Sequence, residues 1–235
     1  MSLEILVVIS IVLLFGLTVF LIVRSERKGR DTKLQISRSL GFTPLEPSPE
    51  LAQKISQLYQ NLRKTQPDKG GDIYKLQSVS SKRMVDCEMI IFDLIDTSGD
   101  DNSYTEVQAV AMIAPHLTLP AFALFPRADL DGPLTNMANK VMGWVISRFG
   151  DPVSFPESPE FERRYLVSSL DAEGTRRFLD EIRLQRLANT RLIGIHAGGD
   201  IFTLSHIATS AKPLTREIMN ERIRQAMDVY SIFTG

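Results

Sequence analysis

The chain has 235 residues, 43% of them hydrophobic and 23% charged, a composition that excludes a disordered or low-complexity protein and predicts a folded one. Apart from Glu4 no charged residue precedes Arg24, so the sequence after residue 23 carries 27 basic and 27 acidic residues. A net charge of zero without a long basic run argues against nucleic-acid binding, and the single Cys87 leaves no intramolecular disulfide and agrees with a reducing compartment.

The first element is ILVVISIVLLFGLTVFLIV, residues 5–23, uncharged throughout its 19 residues. At 1.5 Å per residue it would cover about 28 Å as a helix, one bilayer crossing. It reads as a transmembrane anchor over residues 1–24, with Ile5, Leu13, Phe15, Phe20 and Val23 among the anchor residues. A cleaved signal peptide fits less well, because no basic segment precedes the run and no small-x-small site follows it. Arg24, Arg27, Lys28, Arg30 and Lys33 cluster just after the span, and the first four set its topology. Positive residues stay inside, so the expected location is an inner or plasma membrane, with the N-terminus outside and the C-terminal domain cytoplasmic.

Residues 25–47 read as a juxtamembrane connector ending in the proline-spaced PLEPSPE. From Pro49, the three- and four-residue spacing of Leu51, Ile55, Leu58, Tyr59 and Leu62 predicts an amphipathic helix to about Lys64, ended by PDKGGD. Three strands follow, IYKLQSVSS, MVDCEMIIFDLID and YTEVQAVAMIA, the last two joined by the polar turn TSGDDNS, and LPAFALFPR adds a fourth. Between Pro133 and Gly150, Leu134, Met137, Val141, Met142, Val145 and Phe149 form a helical stripe that suits either a core or a lipid surface. After the loop DPVSFPESPE, a strand FERRYLVSS precedes a helix over about 172–188 capped by Asp171. A hairpin around AGGD comes next, and Pro213 opens a last helix with Leu214, Ile218, Met219, Ile223, Ala226, Met227 and Tyr230 on its buried stripe.

The expected fold class is therefore α+β: an N-terminal transmembrane helix, then a cytoplasmic domain of antiparallel strands with packed helices. The domain divides into an α+β subdomain over 48–150 and a β-α-β-β-α subdomain over 151–235.

Chemistry is harder to find. A two-residue turn at Gly198–Gly199 would place Ile195 opposite Phe202 and Ile193 opposite Leu204, with His196 on the other face across from Ile201 and His206 across from Arg191. On that register the two histidines cannot share a metal, and His116 stands in a bend without an evident partner. Asp96–Ser103 has turn residues without EF-hand spacing. Cys87 lies between Asp86 and Glu88, which disfavours a thiolate. No G-x-S-x-G, Walker or G-x-G-x-x-G motif occurs, so no catalytic, metal or cofactor residues are assigned. Two residues are candidates for ligand binding. Arg163 shares strand parity with Phe161 and Tyr165 in F-x-R-R-Y and offers a planar fork to a carboxylate, and Asp93 is a carboxylate placed oddly in an apolar strand.

Two stretches, FDLIDTSGDDNSYTEVQAVAMI with LPAFALFPR and FPESPEFERRYLVSSLDAEGTRRFL, resemble a group of uncharacterised bacterial membrane-anchored proteins. There too an L-P-x-F-x-L-x-P segment precedes an F-x-R-x-Y strand and an acidic-capped helix. The resemblance spans roughly residues 75–190 and implies an architecture and a bacterial source, with no activity attached. The expected role is a non-enzymatic accessory or scaffolding protein whose partners are the lipid bilayer and a protein or membrane complex. A membrane-tethered sensor or ligand-binding domain, with Arg163 or the sheet face near Asp93 as its recognition site, is the alternative, and an enzyme is the third reading.

Overall fold

A computed structural model describes residues 29–61, 74–96, 105–127, 150–205 and 214–235. It opens on helix α1 (residues 29–39), in the stretch expected as a connector, and on the two-residue strand β1 (Thr43–Pro44). Helix α2 (Pro49–Asn61) buries Ile55, Leu58 and Tyr59, the positions its spacing predicts, and Ser48 Oγ accepts the Leu51 N–H at its start. Strands β2 (Tyr74–Arg83), β3 (Glu88–Asp96) and β4 (Thr105–Ile113) form an antiparallel meander in which Leu76 faces Leu94 and Ile90 faces Ala111. The meander is irregular where Gln77 meets Asp93. Bulges interrupt both ladders there, and Ser78 takes a left-handed φ of 53°.

Strand β5 (Leu119–Pro126) leaves the meander. With β6 (Asp151–Val153), β7 (Tyr165–Ser169), β8 (Gly194–Gly199) and β9 (Ile201–Ser205) it completes one nine-stranded sheet in the order β1-β2-β3-β4-β9-β8-β5-β7-β6, antiparallel at every pairing. The β8–β9 hairpin enters between β4 and β5, so the chain on both sides of residue 150 builds the same sheet. At that boundary Gly150 has a φ of 37°, and a Cβ there would come within 2.6 Å of the Ser169 backbone, so only glycine brings β6 beside β7.

Strand alternation gives the sheet two apolar faces. Ile90, Phe92, Leu94, Ala109, Ala111, Ala123 and Ile201 face α2, with Ile55, Leu58 and Tyr59 packed on them. Met89, Ile91, Val110, Met112, Phe122, Leu124, Ile195, Phe202 and Leu204 face the remaining helices. These are α3 (Pro159–Arg164), α4 (Ala172–Phe178), α5 (Glu181–Ala188) and α6 (Arg216–Thr234), with Ile36 of α1 and Leu40 just after it packed on the same cluster. Fully burying one such aliphatic or aromatic side chain contributes about 1.5–3 kcal/mol, so the two faces dominate stability.

The structure corrects the expected class. The described residues form one nine-stranded antiparallel sheet with helices on both faces, and none of their helices is long and apolar enough to cross a membrane. Hydropathy is the whole case for a transmembrane helix, and no described element answers to it. The stretch concerned, 5–23, falls in residues 1–28, outside the described residues, as do Arg24, Arg27 and Lys28. Helical stripe 134–149, the turn 97–103 and His206 also lie outside them.

Three local expectations change as well. FERR is helical, because Pro159 sits in the first turn with Glu160 and Glu162, while Arg163 and Arg164 sit in the last, each complementing the helix dipole. The helix expected over 172–188 breaks at Leu179–Asp180. Asp171 caps the first piece through Gly174 N–H and Asp180 caps the second through Arg183 N–H, both at 2.9 Å. In the β8–β9 hairpin the turn is Gly199–Asp200, with Gly199 at φ 63°, so Ile195 faces Leu204 and His196 faces Thr203. The register moves by two residues, which preserves which side chains share a face.

Candidate functional site

Arg163 and Asp93 do not meet. The guanidinium of Arg163 is largely exposed on α3 and pairs with Glu160 at 3.0 Å, while Phe161 and Tyr165 stack on each other inside, centroids 5.3 Å apart. Asp93 is 7% exposed in the bulged part of β3, and Lys33 of α1 reaches it at 2.7 Å. The odd acidic residue in an apolar strand is thus answered by a cation from α1. Arg30, on the same helix, is exposed.

Polar groups converge elsewhere, at the end of the sheet where two turns meet α6. The turn at 84–87 is closed by the Met84 N–H donating to the Cys87 carbonyl at 2.9 Å, and the turn after β4 carries His116. Tyr230, in the last turns of α6, donates its phenolic proton to Asp86 Oδ2 at 2.7 Å and lies 3.3 Å from His116 Nε2. With the phenol's only proton on Asp86, its oxygen accepts from His116, which assigns the Nε2–H tautomer. The two rings meet edge to face, centroids 6.0 Å apart. The apolar spacing of α6 brings Tyr230 there. Met219, Ala226, Val229, Ile232 and Phe233 bury one stripe, and Tyr230 lies beside Val229 with its hydroxyl at the edge.

These contacts set the chemistry of the group. Tyr230 lowers the pKa of Asp86 by donating to its carboxylate. Burial, and secondly the hydrogen bond to Asp86, pushes the Tyr230 phenol up. Burial and then the charge of Asp86 push the Cys87 thiol up as well. Neither the phenol nor the thiol is an activated nucleophile near neutral pH. Among the described residues no group of three or more His, Cys, Asp and Glu side chains is placed to hold a metal. The cluster therefore acts as a clasp, tying two turns of the sheet to the C-terminal helix.

What the clasp presents is unusual. Val85, at the tip of the 84–87 turn, is fully exposed, and Met227, one helical turn before Tyr230, is 37% exposed. Asp86 and His116 are exposed beside them. A single exposed apolar residue is ordinary on a protein surface. A β-branched one in a turn, where Gly, Asn, Asp or Pro serve the backbone, gains nothing from burial and is held in place by a neighbour's hydrogen bond. Sequence reading recognised Asp86 only as a neighbour unfavourable to Cys87, left His116 without a partner and placed Tyr230 in a core stripe. It also placed Val85 and Asp86 inside the strand MVDCEMIIFDLID, whereas that strand begins at Glu88 and the two residues form the turn before it.

Fold and site together define a nine-stranded antiparallel sheet domain with helices on both faces and an exposed, tethered turn. No family model matches the chain, and no curated protein does. Among solved structures, it is similar to the crystal structure of the mycobacterial trehalose monomycolate transport factor A, TtfA. The TM-score is 0.51 at 14% sequence identity, over 88% of this chain and 94% of that one. At that identity the likeness establishes a shared fold.

Proposed function

We propose that the protein is an accessory factor that engages a protein partner through the sheet end bearing Val85, Asp86, His116 and Met227, in an assembly associated with transport. The observation that carries the reading is the fully exposed Val85 on a turn fixed to α6 by Tyr230. A preorganised apolar contact loses little entropy on binding, which is the use such a tether has. The shared fold with TtfA, a protein described as a transport factor, supports the association with transport. The clasp's raised phenol and thiol favour this reading over a catalytic one.

The test is position-dependent photocrosslinking in cells, with the crosslinking amino acid at Val85 or at the exposed Arg177. An adduct of one defined mass is expected from position 85 alone, and Val85→Asp should weaken recovery of the same companion about tenfold or more without lowering the melting temperature. Equal adducts from both positions, or undiminished recovery with Val85→Asp, would refute the proposal.

A further inference from the structure

We propose that the docking of α2 on the sheet is acid-sensitive, with His196 as its sensor. His196 lies in the middle of β8, opposite Thr203 on β9 and Ala123 on β5, and is completely buried. Helix α2 closes over it. The Tyr59 ring lies 4.8 Å from the imidazole, and the Tyr59 hydroxyl is 3.0 Å from Thr203 Oγ1. Phe125 stands edge-on at 5.5 Å. Complete burial under Tyr59 and Phe125 takes hydration from a protonated imidazole, and the cation–π attraction of two neutral rings does not replace it.

Charges nearby do not change that balance. On α2 the charged groups are Lys54, which pairs with Asp200 at the hairpin tip at 2.5 Å, and Glu50, exposed in the first turn. Strands β9, β5 and β7 and the described side chains of β4 carry none. Burial is accordingly what pushes His196 down, to about 3.

Water reaches the ring most cheaply by lifting α2. Beyond the packing of Leu51, Ala52, Ile55, Leu58 and Tyr59, its polar ties to the sheet include the Tyr59–Thr203 contact, the Lys54–Asp200 pair and a long hydrogen bond, 3.4 Å, from Ser56 to the Tyr74 carbonyl. Local opening of one peripheral helix costs less than global unfolding. The sign follows from the neutral form being favoured in the folded state. The contribution is fully present above the unfolded value of 6.5 and is lost as pH falls from there toward about 3. Between pH 7.5 and pH 5 those two values raise the opening constant about 30-fold.

Hydrogen exchange with mass spectrometry on the full chain tests this, with opening constants corrected for intrinsic exchange at each pH. In the unaltered protein α2 peptides should open about 30-fold more at pH 5 than at pH 7.5, while β3 and β4 change far less, and His196→Gln should abolish the pH response. Equal responses with and without His196, or a uniform rise across the sheet, would overturn the proposal. Should the variant fail to fold, the imidazole resonances of the unaltered protein decide. A His196 signal titrating near pH 6.5 with α2 still protected refutes the idea, and loss of α2 protection together with protonation supports it.

Discussion

Phe233, one residue from the end of α6, tests whether the C-terminal helix is held by its aromatic contacts or merely covers the sheet. It is 2% exposed, and its ring meets Phe202 at 5.1 Å, Phe178 at 5.3 Å and Phe122 at 6.1 Å, each near edge to face. Phe233→Ala removes the burial and leaves a cavity, a loss of about 3–5 kcal/mol. Phe233→Leu keeps most of the burial but forfeits three ring pairs, each worth about 0.5–1.5 kcal/mol beyond area, so a loss of about 2 kcal/mol is expected. In urea titrations the midpoint should fall in the order native, Leu, Ala at an unchanged slope. For a chain of this size the alanine variant should melt roughly 10 °C lower. Chain ends commonly fray, and a frayed α6 would give both variants losses under about 1 kcal/mol. That result would refute the claim that Phe233 anchors the helix.

Lys33→Met strips the cation from a carboxylate that is nearly out of water and should cost about 1–3 kcal/mol, whereas Arg163→Ala, in an exposed pair, should stay within about 0.5 kcal/mol by the same denaturation assay. Equal losses would mean that α1 is not docked through Asp93. Cys87, buried with its thiol pushed up, should react with an aromatic disulfide reagent at pH 8 at least about 100-fold more slowly in the folded than in the urea-unfolded chain. Asp86→Asn should speed the folded-state reaction, because it removes a charge that disfavours the thiolate, and an unchanged rate would remove Asp86 from the account.

Local periodicity made α2, the meander and the last helix legible, because side-chain alternation at steps of two and about 3.6 is written into single segments. The parity of the β8–β9 hairpin was legible for the same reason, even though its turn moved by one residue at each arm. FERR shows the limit. Its Phe161, Arg163 and Tyr165 alternate like a strand, but Pro159 and the flanking charges favour a helical turn, and in so short a piece the cap decides. The sheet order was not legible, since placing β8 and β9 between β4 and β5 depends on pairings roughly 70 to 95 residues apart in the chain. The clasp is of that kind too. Asp86, His116 and Tyr230 belong to three elements, and 144 residues separate the first from the last.

That separation gives the clasp a property a local turn would lack: the 84–87 tip, closed within itself by the Met84–Cys87 hydrogen bond, is also tied to α6. Arg191 to Glu221 at 3.2 Å and Arg186 to Ser231 at 3.0 Å also hold that helix. Two substitutions separate presentation from contact. Tyr230→Phe keeps Val85 but releases its turn from α6, and should weaken binding of the proposed partner mainly by slowing association, since a less restrained tip must be ordered on binding. Val85→Asp keeps the tether and removes the apolar contact, and should act mainly on dissociation. Measured by surface-immobilised kinetics on the crosslinked partner, identical effects of the two variants on both rates would mean that the tether has no role in recognition and serves folding alone.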